Sequence, residues 1–184
     1  MDSEVQDLVE SGDIIPPQEL IDTEAQLDYL TSRRGGRAAL DRAGVPRRTA
    51  RRWQAGARNV SRINREKINQ AYWTLRATNW RRSGRTLPPT VRQAIAPQLR
   101  QRAHGRRMTI EPVDPRDVAR QAQGAQSTAS ERTVRPSQRS WDRLIDSWAT
   151  GDETLMEDAW MDFASEIDSP PELYYEVAHI GFTL

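Results

Sequence analysis

The residues best suited to chemistry lie between positions 47 and 62: Arg47, Arg48, Thr49, Arg51, Arg52, Arg58 and Arg62. A guanidinium presents paired, coplanar N–H donors that fit a phosphate or the major-groove edge of guanine, and a threonine contacts either base edges or a thymine methyl. On a helix, Arg47, Arg48, Arg51 and Arg52 occupy the outer surface and leave Ala50 and Trp53 facing inward. Bond-making chemistry has no such cluster. There is no cysteine, and the two histidines, His104 and His179, are far apart in the sequence and form no metal pair. No glycine-rich phosphate loop or serine elbow occurs, and carboxylates such as Asp152, Glu153, Glu157, Asp158 and Asp162 read as a solvated helix face. A binding protein is expected rather than an enzyme, with no cofactor and no metal.

The charge around this cluster supports the same expectation. From Thr31 to Ile110 there are 21 basic residues and two acids, Asp41 and Glu66, a net charge of +19. The flanks are acidic, with nine acids and no base in residues 1–30, and eleven acids against Arg143 alone in residues 141–184. A polycation of this kind attracts phosphates by releasing condensed counterions, so nucleic acid is the expected partner. The alternatives are a solvated basic face, or neutralisation by the acidic ends, which would make them competitive inhibitors of DNA binding. With no long apolar run, no membrane association is expected, and the predicted location is cytoplasmic and nucleoid-associated.

The elements that must position these residues follow from periodicity and turn chemistry. Residues 1–18 read as an acidic mobile arm ending at Pro16-Pro17. Residues 19–83 read as a helix-turn-helix DNA-binding domain. It begins with a helix capped by Thr23, and Gly44 supplies the turn between two helices whose inner slots are Ala39, Ala43, Val45, Ala50 and Trp53. Leu40 is larger than the residue such a crossing usually takes. Gly56 ends the second helix, and a third, capped by Ser61, carries Ile68, Tyr72 and Leu75 beneath the motif, with Trp73 and Trp80 read as core or rim. Residues 84–107 read as a basic helix interrupted by Pro97, whose Arg102, Arg106 and Arg107 are candidate phosphate contacts, residues 108–114 as a short strand, and residues 115–139 as a flexible linker. Residues 140–184 read as an acidic helical hairpin, turning at Gly151 and capped by Asp152, followed by a terminal strand from Leu173 to Leu184 that pairs with Met108–Val113. The expected fold is thus mostly α with a small α+β C-terminal part: a helix-turn-helix domain, a basic helix, then a helical hairpin plus two short strands. The apolar content of the last module predicts a homodimer or a protein partner.

The order of these parts resembles the telomere terminal proteins of linear actinobacterial replicons, over roughly residues 25–184. Gly44-Val-Pro-Arg-Arg-Thr-Ala-Arg-Arg-Trp53 resembles that family's helix-turn-helix, and the arginine-rich segment 91–107 its basic segment. Met108-Thr-Ile-Glu111 resembles its short strand, residues 144–155 its turn between C-terminal helices, and residues 175–184 its closing strand. The resemblance implies a protein that binds DNA, accepts the first deoxynucleotide on a threonine hydroxyl, and stays linked to the DNA end that it caps. It also implies a DNA polymerase and a telomere-binding protein as partners. By position the acceptor is Thr109, with Arg106 and Arg107 beside it to hold phosphate; Thr86, Thr90 and Tyr174 are other candidate hydroxyls. Two further readings stay open: a dimeric helix-turn-helix regulator of transcription or plasmid maintenance, and a recognition subunit for phage packaging.

Overall fold

The apolar stripe over residues 68–77 becomes the spine of the N-terminal unit. A computed structural model of the chain describes residues 1–55, 60–112, 132–166 and 177–182, which are mostly helical with a small antiparallel sheet. They divide into two units, residues 2–95 and residues 96–184 together with Met1.

In the first unit, α1 (Asp2–Ser11), a single 3-10 turn (Gln18–Leu20), α2 (Thr23–Ser32) and α3 (Gly36–Arg42) pack on α5 (Arg62–Arg82); α4 (Arg47–Gln54) packs on α2 and α3. From α5, Ile68, Ala71, Tyr72, Trp73, Leu75 and Ala77 are buried, facing Val5, Val9, Leu27, Leu30, Ala39 and Leu40 among others. A polar knot crosses this core: Asn69 accepts from Gln26 (2.8 Å) and from the Trp73 indole (2.9 Å), and donates to the Pro16 carbonyl (2.8 Å). Each buried amide is thereby satisfied, so the knot fixes how the N-terminal segment lies on α5. Where α2 meets α3 the backbones approach so closely that a Cβ on Gly36 would lie 1.7 Å from the Leu30 carbonyl oxygen. Only glycine fits there.

In the second unit, the end of α6 (Pro89–Ala103) leads into β1 (Met108–Pro112), the middle strand of a sheet ordered β2-β1-β3, with β2 (Arg132–Val134) and β3 (Val177–Phe182) both antiparallel to it. Between the strands, α7 (Gln138–Thr150) and α8 (Glu153–Glu166) form a hairpin. Trp141, Leu144, Ile145 and Trp148 of α7 and Ala159, Trp160 and Phe163 of α8 are buried, as their helical spacing predicts, and Ala164 joins them, whereas Leu155, expected on the same face, is 46% exposed and Ile167 lies outside the described residues. Ser137 caps α7, Gly151 ends it at φ +73°, and Asp152 accepts the first amides of α8 from Thr154 (2.9 Å) and Leu155 (3.2 Å).

Five expectations need correction. Ser61 stands at the start of α5 but does not cap it: its hydroxyl accepts from the Asn64 side-chain amide (2.9 Å) and from no helix N–H. Residues 1–18 are not a mobile arm: α1 presents Val5 and Val9 to α5, and Ile14 is also fully buried. Their spacing is helical, and burying such side chains is worth roughly 1.5–3 kcal/mol each, which outweighs the acidity that suggested disorder. Asp22 rather than Thr23 caps α2, accepting from the Glu24 and Ala25 amides at 2.9 Å each. The polar segment 115–139 ends in structure, with β2 and the start of α7, because pairing with β1 satisfies a backbone that has little apolar surface of its own; its residues 115–131 lie outside those described. The sheet consequently has three strands rather than two.

Candidate nucleic-acid interface

α4 is a short helix with a strongly basic outer surface. Gly44 adopts φ +70° and its amide bonds to the Asp41 carbonyl (3.0 Å), while the Val45 amide bonds to Leu40 (2.9 Å), turning the chain sharply from α3 into α4. Leu40, Val45, Ala50 and Trp53 are buried and hold α4 to the body; Ala43, expected inside, is half-buried. Leu40 is accommodated at the crossing, fully buried.

With successive residues turned by about 100°, the basic side chains of α4 form two i, i+4 pairs. Arg48 and Arg52 point away from Ala50 and Trp53, while Arg47 and Arg51 flank the side facing α2 and α3; all four are exposed, and Thr49 is half-buried on the other flank. Among the described residues no carboxylate pairs with any of these four arginines. Arg62 is exposed and pairs with Glu66 at 2.9 Å, an i, i+4 bond in water worth well under about 1 kcal/mol, so it yields readily to a phosphate. Arg58 lies outside the described residues.

The acids of the N-terminal segment act elsewhere. Asp7 and Glu10 pair with Arg81 of α5, and Asp2 with Arg92 of α6 at 3.3 Å. In the other unit Asp146 pairs with Arg100 and Asp162 with Arg143.

Thr109 lies on the middle strand, opposite Thr133 on one side and Gly181 on the other. Its neighbours Met108 and Ile110 are fully buried, so alternation turns Thr109 to the other face of the sheet, where it is half-buried. Thr133, directly opposite on β2, is exposed. Arg102, Arg106 and Arg107 are exposed, and neither Arg106 nor Arg107 pairs with a carboxylate among the described residues. Thr86 is exposed and accepts from Arg92 (3.0 Å), Thr90 is exposed on α6, and Tyr174 lies outside the described residues. α4 and Thr109 thus belong to different units.

Several features escaped the motif reading. Ile63 is 66% exposed between Arg62 and Arg65 at the start of α5; its place off the 68-72-75 stripe is the signal that marks it. Trp73 is buried and Trp80 half-buried in an aromatic cluster with Tyr29 and Tyr72, and the Arg76 guanidinium lies 4.7 Å from the Trp80 ring centroid and 5.1 Å from that of Tyr29. Burial raises the Tyr72 hydroxyl above its ordinary pKa, with Arg76 opposing. No protein-family model, no curated protein and no solved structure matches this chain.

Proposed function

We propose that the chain is a DNA-binding protein in which α3, the Gly44 turn and α4 act as a helix-turn-helix, with α4 in the major groove. One observation carries this reading: the α4 arginines are exposed and, among the described residues, without carboxylate partners, although the chain is rich in acids. Arg48 and Arg52, together with Thr49, are suited to base edges; Arg47, Arg51, Arg58 and Arg62 are suited to phosphates on either side. The test is the affinity for a duplex of about 20 base pairs across a NaCl series, where log K falls by about 0.9 per phosphate contact for each unit of log salt. Replacing all four α4 arginines by glutamine is expected to flatten that slope by one to three contacts. A slope and affinity equal to wild type contradict the proposal.

The Thr109 environment favours a more specific form of the same function, a terminal protein that primes DNA synthesis. In that reaction the Thr109 Oγ attacks the α-phosphorus of a deoxynucleoside triphosphate. A phosphoester bond forms, pyrophosphate leaves with the bridging oxygen, and the hydroxyl proton passes to a base of the recruited polymerase, which also supplies the metal ions. Arg106 and Arg107 would hold the triphosphate. The experiment is incubation with labelled deoxynucleotides, polymerase-containing extract and the DNA end of a linear replicon. Label that survives boiling in detergent on wild type and Thr109→Ser, but not Thr109→Ala, is the expected result. Absence of label from an extract active on a known terminal protein favours the dimeric regulator instead.

A further inference from the structure

Beside α4 there is a recess of about 310 Å³, between that helix and the α2–α3 pair. Its floor is apolar: Leu30, Leu40 and Ala50, all buried. One wall is closed by a hydrogen bond from the Gln54 amide to the Thr31 hydroxyl, at 2.6 Å. Its rim carries Arg37, Arg47 and Arg51. Arg37 is partly satisfied by Asp41, its Nε donating at 3.0 Å, whereas Arg47 and Arg51 have no carboxylate partner among the described residues. The apolar side chain that α4 contributes to this lining is Ala50, whose single methyl fills little of the space above Leu30 and Leu40.

A volume of this size lies at the small end of those that hold organic ligands, and an apolar floor with a few polar groups at the mouth is their usual make-up. The chemistry of the lining selects the ligand. The floor takes a hydrocarbon or aromatic ring, and two unpaired guanidiniums one helical turn apart take a carboxylate, which each can bind in a bidentate manner.

We propose that this recess is a binding site for a small carboxylic acid with an apolar body of roughly ten non-hydrogen atoms. The acid holds Arg47 and Arg51 toward the recess. If α4 reads DNA, a consequence that rests on the function proposed above, the bound acid competes with DNA phosphate for the same two side chains and lowers affinity. By linkage, DNA then weakens acid binding by the same factor.

The test uses the full chain without DNA, titrated with phenylacetate and indole-3-acetate and with their uncharged amides, followed by calorimetry and ligand-observed NMR. Saturable binding of the acids below about 1 mM, with the amides at least about tenfold weaker, is expected. Ala50→Leu, which fills the recess, abolishes it; Arg51→Gln weakens it about tenfold; Arg48→Gln, on the outer side of α4, leaves it unchanged. If Ala50→Leu does not fold, the exposed-site variants Arg47→Gln and Arg51→Gln carry the comparison. The proposal is overturned if neither acid binds at about 5 mM, if acids and amides bind alike, or if Arg47→Gln and Arg51→Gln both bind as wild type does. Because no DNA is present, these outcomes are independent of whether α4 reads DNA. A separate titration of duplex in saturating acid tests the competition, and unchanged DNA affinity overturns that part.

Discussion

Replacing Gly36 by alanine perturbs a point where the α3–α4 segment meets the body through backbone contact. The added Cβ would lie 1.7 Å from the Leu30 carbonyl oxygen, 2.5 Å from its carbon and 2.9 Å from its Cα. Non-bonded carbon and oxygen settle near 3.5 Å, so α3 must retreat by well over about 1 Å. The obstacle is main chain, and no rotamer change can relieve it. Retreat also displaces Ala39 and Leu40, and through the Gly44 turn Val45 and Ala50, all of which are buried. Overpacking in cores costs about 1–3 kcal/mol and sometimes more, and the better helix propensity of alanine returns up to about 1 kcal/mol. With a main-chain clash this close the cost lies at the top of that range, and a net loss of about 2 kcal/mol lowers Tm by roughly 8–16 °C for a unit of this size. Gly84→Ala is the control: at φ +65° its Cβ meets nothing within 4 Å, so only the left-handed backbone cost of about 1 kcal/mol applies. Thermal unfolding followed by far-ultraviolet circular dichroism separates the two. A Gly36→Ala protein that melts with wild type, or above Gly84→Ala, refutes the packing argument.

Val9→Ala is expected to cost about 2 kcal/mol, read as a lowered urea midpoint with unchanged slope, because Val9 is fully buried between α1 and its neighbours; an unchanged midpoint would return residues 1–18 to the status of an arm. Stability should also fall as pH rises above about 10. Burial raises the Tyr72 pKa in the folded state, so an unfolded Tyr72 gives up its proton first and each further step in pH favours unfolding. Tyr72→Phe keeps the ring and should make that alkaline decline shallower; an identical decline in both proteins would exclude Tyr72 as a contributor.

What the sequence discloses, and what it hides, follows from the range of the forces involved. The α7–α8 hairpin is legible because its apolar residues recur at strict helical spacing and its turn carries Gly151 and Asp152, both local signals. The α3–α4 turn is legible for the same reason, through Gly44 and the alternation of small apolar residues with arginine. α1 is hidden because its charge suggests disorder, and the compensating contacts with α5 come from residues more than fifty positions away. β2 is hidden because a three-residue edge strand has no period of its own and exists only by pairing with β1. At the candidate interface, the exposure of Arg47, Arg48, Arg51 and Arg52 could be read from residue types. That the carboxylates of α1 would engage Arg81 and Arg92 and leave α4 alone depends on tertiary placement. The recess beside Ala50 is likewise a product of packing, since no spacing rule reports empty volume.

The most direct test of α4 as a reading helix is selection of bound duplexes from a random pool by wild type and by a protein carrying Arg48→Gln and Arg52→Gln together. Each bidentate guanine contact discriminates by about 1–3 kcal/mol, so losing both should reduce enrichment by about 30-fold or more. Wild type is expected to enrich a defined site, and the double variant to enrich none while still binding duplex weakly at low salt. Enrichment of the same site, to the same degree, by both proteins would contradict that role for α4.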